Sequence, residues 1–152
     1  MLTYGKIMLD LFYGGITMNV IVCVDDSLGM LFNNRRQSRD SVLIDRVIDM
    51  CDKSRLWIGE FSRSLFSTFD CPIMIINDNF LNDAVAGDYC FVENVHLTPF
   101  IDKIEKLIVF KWNRSYPSDF CLDIDLSKWS LISSNDFKGS SHEEITMEVY
   151  KR

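Results

Sequence analysis

Arg35, Arg36 and Arg39 lie within five positions of one another, with Gln37 and Ser38 between them and Asp40 directly after. A guanidinium group is planar and permanently charged, and its fork of N–H donors matches the oxygens of phosphates and carboxylates. A segment so rich in donors suits a nucleotide, a phosphorylated metabolite or an acidic partner, with Asp40 as the counter-charge. The same residues also fit a flexible, solvated loop whose arginines pair with Asp25, Asp26 or Asp45, an arrangement in which each exposed pair contributes little. Ser38 or Asp40 also fits the cap position of the helix that follows.

Other chemistries find less support. The only histidines, His96 and His142, are too few for a multi-histidine metal site and stand in no H-x-x-x-H arrangement, so no metal site is expected and both read as structural or surface residues. The five cysteines are never closer than 19 positions and form no C-x-x-C pair. They read as small hydrophobes in a reducing cytoplasm. Glycine-rich phosphate loops and a G-x-S-x-G elbow are absent. The net charge of −6 opposes general nucleic-acid binding, which uses clustered positive charge to displace counterions, and only the local basic stretch runs against it.

The elements that must position these residues follow from patterning. With 152 residues, 47% apolar and 25% charged, the chain fits one domain with one core. The segment before Met18 is too short and polar for a membrane span and lacks the basic start and small-residue cleavage site of a signal peptide. Gly14-Gly15 shortly before Met18 is what a purine-rich ribosome-binding site yields when read as codons. Residues 1–17 are therefore expected to be an N-terminal extension, with Met18 the true start and residues 18–152 the domain.

Asn19 to Val24 reads as a strand buried on both faces. A helix headed by Asp40 follows, with Val42, Leu43, Val47, Ile48 and Cys51 on its inner face. Further strands are expected at Arg55 to Ile58, Pro72 to Ile76, Tyr89 to Val92 and Lys106 to Trp112. Short helices are expected over Glu60 to Phe66 and Pro99 to Ile104, the second with proline at its first position. Trp129 to Ile132 reads as a short extended piece. Glu144 to Tyr150 alternates as a half-solvated antiparallel strand does.

The pieces Glu105-Lys106-Leu107-Ile108-Val109, Tyr116-Pro117, Trp129, Phe137, Ser141-His142 and the closing Met147 to Arg152 come in a telling order. Together with Val22 to Gly29-Met30 at the start, they make the chain resemble a dihydrofolate reductase over roughly residues 18–152. The resemblance implies an α/β fold with a single mixed, mainly parallel sheet flanked by helices. It implies a substrate cleft between the first helix and the sheet. Asp40 would be the carboxylate whose two oxygens accept parallel N–H bonds from an aminopyrimidine-like ring; its other role is the helix cap.

Three departures touch the cofactor side. Where the family has a Gly-Gly turn for the NADPH diphosphate, this chain has Glu93-Asn94, which adds a carboxylate and side chains where bare backbone N–H groups are needed. Gly59-Glu60 stands where the family follows glycine with a phosphate-holding basic residue. The mobile loop has Arg35, Arg36 and Arg39 and no Pro-Trp pair. NADPH is accordingly disfavoured as a cofactor.

The chain also resembles short bacterial proteins sharing G-M-L-F-N-x-R-R-Q-S-x-D and F-V-E-N that are commonly labelled ribonuclease Z. That enzyme requires an H-x-H-x-D-H zinc cluster, absent from this sequence. The expectation is a cytoplasmic domain binding a small pterin-like, nucleotide-like or phosphorylated ligand at Arg35, Arg36, Gln37, Arg39 and Asp40, with catalysis left open. The alternatives are a folate or pterin reductase with altered cofactor binding, and an interaction or RNA-processing protein that uses the basic stretch.

Overall fold

The computed structural model describes residues 17–71 and 73–152. The expected extension therefore lies outside the described residues except for Thr17, as does Pro72 of the expected third strand.

The centre of the molecule is β1 (Met18–Val24), which pairs in parallel with β6 (Tyr89–Phe91) on one side and β7 (Ile104–Lys111) on the other. Beyond β6 lie β4 (Leu56–Ile58) and β5 (Met74–Ile76), also parallel. On the other side β10 (Ile145–Lys151) runs antiparallel to β7, and β9 (Ser130–Phe137) runs antiparallel to β10. The seven strands form one sheet in the order β5-β4-β6-β1-β7-β10-β9. The expected α/β architecture, mixed and mainly parallel, is the one observed.

Two core layers explain why the central strands are apolar at successive positions. Val20, Val22, Val24, Trp57, Cys90, Leu107 and Val109 face one way, onto Phe80, Leu81, Leu97, Leu122, Ile124 and Trp129. Ile21, Leu56, Ile58, Phe91, Ile108 and Phe110 face the other, onto Leu43, Ile44, Val47 and Cys51 of helix α1 (Ser41–Cys51). A strand covered on both faces must be apolar at odd and even positions alike. β9 has no such cover: it is the sheet edge, exposed along its length until Phe137.

The smaller elements depart from the expectations in detail. Glu60–Ser62 is a 3₁₀ turn leading into α2 (Arg63–Phe66). A further single turn, α3 (Phe80–Asp83), was not anticipated. Thr98–Lys103 is a 3₁₀ helix, and Thr98 anchors its start by donating to the Asp123 carboxylate at 2.7 Å.

The basic stretch is not the flexible loop it was read as. β2 (Gly29–Phe32) and β3 (Arg35–Arg36) make an antiparallel hairpin, and β8 (Phe120–Cys121) pairs with β2 from the other side. Asn33 and Asn34 form its two-residue turn with φ of 51° and 58°. Positive φ at both positions matches the twist of a hairpin, and asparagine is among the side chains that adopt it most readily. Arg35 and Arg36 are therefore carried on a strand, while Arg39 lies in the connection that follows it.

Candidate functional site

A narrow cavity opens beyond the carboxyl ends of β1 and β6, the usual place for a ligand in an open α/β sheet. Its lining includes Cys23 from β1, Arg36 and Gln37 from the hairpin end, Leu43 from α1, and Phe91 and Glu93 from β6 and the residues after it. The free space is about 20 Å³, enough for one water. What narrows it is an ion pair. Arg36 donates from Nε and from one terminal nitrogen to the two oxygens of Glu93 at 2.9 and 3.0 Å, while Ser62 Oγ donates to Glu93 at 2.7 Å. Arg36 also donates to the Phe61 carbonyl at 3.2 Å and lies over the Phe61 ring. The arginine fork thus finds its carboxylate within the chain, at Glu93 rather than at Asp25, Asp26 or Asp45.

Gln37 donates to Asp25 at 3.2 Å. Asp25 also accepts from the backbone N–H groups of Ser27, Gly29 and Tyr116. Burial pushes its carboxyl up, but these donors outweigh that and hold it below the ordinary range. The hairpin base is tied to the segment after β7 through this one buried carboxylate. Among neighbouring thiols, Cys23 is no nucleophile: burial first, and the Glu93 charge second, push its thiol well up and keep it protonated.

Asp40 is the N-cap of α1, accepting from Val42 N–H at 3.0 Å and Leu43 N–H at 3.2 Å. The same carboxylate accepts from the N–H groups of Ser140 at 3.0 Å and Ser141 at 2.8 Å, and from Ser141 Oγ at 3.0 Å. His142 Nδ1 lies 3.3 Å from its Oδ2. The Asp40 side chain is fully buried, and although burial pushes its carboxyl up, these donors hold it far below the usual carboxylate range. With at least five donors for about four lone-pair sites, the carboxylate is saturated. Gly139 makes this possible, since a Cβ there would collide with the Asp40 carboxylate.

His142, read from the sequence as a structural or surface residue, is buried. Its side chain is 2% exposed and its ring stacks on Trp112 with centroids 4.6 Å apart. Nδ1 faces the Asp40 carboxylate and, at 2.9 Å, Ser141 Oγ; Nε2 faces Ser38 Oγ at 3.1 Å and Tyr116 Oη at 3.2 Å. The single hydroxyl proton of Ser141 has the Arg39 carbonyl at 2.7 Å and Asp40 at 3.0 Å as further acceptors. A ring with its one proton on Nδ1 satisfies the Asp40 carboxylate and turns a bare Nε2 to the two hydroxyls. No spacing rule points to this cluster, because Ser38 and His142 are 104 positions apart.

The remaining site candidates separate. Arg39 joins Arg36, Gln37, Asp40 and Glu93 at the cavity, although it is largely exposed. Arg35 is exposed on the hairpin, and Asn94 is exposed beside Glu93. Gly59 and Glu60 lie away from the lining: Glu60 forms an exposed pair with Arg63 at 2.7 Å, and its N–H donates to Asp78 at 2.8 Å. Among the described residues no group of three or more His, Cys, Asp or Glu side chains is placed to hold a metal ion. None of the described helices is long and apolar enough to cross a membrane.

No family model matches the sequence, and no curated protein does. Solved structures do match. One is the dihydrofolate reductase of Enterococcus faecalis complexed with NADP(H) and RAB-propyl, which aligns with a TM-score of 0.64 over 90% of this chain and 96% of its own, at 12% identity. The chain has a dihydrofolate-reductase-like fold. On this reductase-like frame Glu93 directly follows Val92 at the carboxyl end of β6, with its side chain 10% exposed and turned to Arg36. At 12% identity the likeness speaks for the fold alone.

Proposed function

We propose that this domain binds a small anionic heterocycle, pterin-like, nucleotide-like or phosphorylated, in the cleft between α1, the β2–β3 hairpin and the carboxyl ends of β1 and β6, without the NADPH site usual for the fold. The observation that carries this reading is the Arg36–Glu93 pair. Glu93 stands where the resemblance puts a bare glycine turn, and the pair fills that position with side chains and bound charge. Arg36 neutralises much of the Glu93 charge, so the obstacle to a diphosphate is chiefly steric, together with the loss of free backbone donors. An incoming phosphate or carboxylate can instead take over the Arg36 fork, since it offers the same planar or near-planar pair of oxygens. Parting the ion pair also widens the water-sized cavity.

The five cysteines, all free thiols, fit a reducing bacterial cytoplasm. Residues 1–17 are read as an extension preceding the domain.

The test is calorimetric titration of the full chain with NADPH, dihydrofolate, a pterin carboxylate and nucleoside monophosphates. Binding of an anionic pterin or mononucleotide, lost in Arg36→Met, is the expected result. Micromolar affinity for NADPH, or anion binding unchanged in Arg36→Met, would overturn the proposal.

A further inference from the structure

Ser38 Oγ, His142 and Asp40 stand in line. Oγ lies 3.1 Å from Nε2, and Nδ1 lies 3.3 Å from the Asp40 carboxylate. The tautomer this line of contacts accommodates, with Nδ1–H toward the carboxylate and a bare Nε2 toward the hydroxyl, is the one a serine nucleophile requires of its base. Three further features fit. Asp40 stays ionised, because its backbone donors hold it far below neutral pH. Trp112 stacked on the imidazole, together with burial, fixes the ring plane. Ser38 lines the cavity whereas His142 lies behind it, so the hydroxyl is interposed between the base and whatever enters.

We infer that Ser38 is a nucleophile activated by His142, with Asp40 positioning the ring, and that the cleft supports acyl transfer from small carboxylic esters to water. Ser38 Oγ bonds to the carbonyl carbon as its proton passes to Nε2. The ester C–O bond then breaks and Nε2 returns the proton to the leaving alkoxide. Water, giving its proton to Nε2, attacks the acyl-serine; the acid leaves and Ser38 regains its hydroxyl proton. Arg39 lines the same cavity and supplies positive charge to it, whereas the Arg36 charge is held by Glu93. Tyr116 competes with Ser38 for Nε2, so the serine shares its base in the resting protein. The activity does not depend on the anionic-ligand reading above, and either can fail alone.

A fluorophosphonate probe tests this directly, since its phosphorus takes the Oγ bond as fluoride leaves. The full chain is incubated with the probe, and intact mass with peptide mapping locates the adduct. One adduct per chain on Ser38 is expected, formed roughly 100-fold or more faster than in the same protein unfolded in urea, the scale of a positioned general base. Asp40→Asn slows the labelling, and Tyr116→Phe, which leaves Nε2 to Ser38, does not. Because the native-versus-urea comparison is made on the unaltered chain, it stands even where a variant fails to fold. No Ser38 adduct, or equal rates folded and unfolded, would overturn the inference, as would a rate in folded Asp40→Asn equal to that of the unaltered chain.

Discussion

Asp40→Asn is the sharpest perturbation of the site that leaves its shape intact. Asparagine is as good a helix cap as aspartate, so the bonds to Val42 and Leu43 N–H survive if the amide oxygen takes the Oδ1 position. The new NH₂ group then stands at Oδ2, facing the Ser141 N–H at 2.8 Å and His142 Nδ1 at 3.3 Å, both donors. Ser141 Oγ can redirect its proton to the Arg39 carbonyl and escape. The imidazole can move its proton to Nε2 and donate to Ser38 or Tyr116, but the Ser141 N–H has no such escape and loses an ionised acceptor, at about 1.5–3 kcal/mol. That corresponds to roughly 3–12 °C in Tm for a chain of this length. Urea unfolding of both proteins at pH 7, followed by tryptophan fluorescence, measures the difference.

The pH dependence has a definite sign. A carboxyl depressed on folding contributes stability that is present above its unfolded pKa of about 3.9 and lost as pH falls through the folded value. The gap between the unaltered chain and Asp40→Asn is therefore full at neutral pH and narrows only below about 3.9. A difference under about 1 kcal/mol at pH 7, below the cost of one such donor, or a gap that widens on acidification, refutes the reasoning.

Arg36→Met leaves the half-buried Glu93 carboxylate with Ser62 as its remaining side-chain donor, and should cost about 1–3 kcal/mol, the usual cost of a charged group losing its partner. Adding Glu93→Gln should recover part of that loss, and strict additivity in the double-mutant cycle would show that the two residues do not interact. Gly139→Ala drives a Cβ into the Asp40 carboxylate and to 2.8 Å from Ile145 Cδ1, so a loss of about 2 kcal/mol is expected in thermal unfolding.

The sheet was legible where burial is two-sided. β1 and β7 read as unbroken apolar runs because each lies between two core layers. β9 escaped beyond Ile132 because an edge strand with an exposed face leaves no apolar record. The helical turn at Phe80–Asp83 is too short to show a period. The hairpin carried its signal in Asn33-Asn34, yet the run of charge after it read as a loop. At the site, Asp40 was found because caps act locally. The partners of Arg36 and Ser38 lie 57 and 104 positions away, and only the fold brings them within reach.

The saturation of Asp40 also bears on how a newly made chain matures. Ser140 and Ser141 leave the ribosome a hundred residues after Asp40, an interval of roughly 5 to 20 s at ordinary elongation rates. Until then the carboxylate can cap its own helix but has no second segment to hold. The outer edge of β7 stays open until β10 is laid against it. A ribosome-bound chain stalled before residue 139 would have the cavity lining but lack Ser140, Ser141 and His142, so the hydrogen-bond cluster around Asp40 is completed only near the end of synthesis.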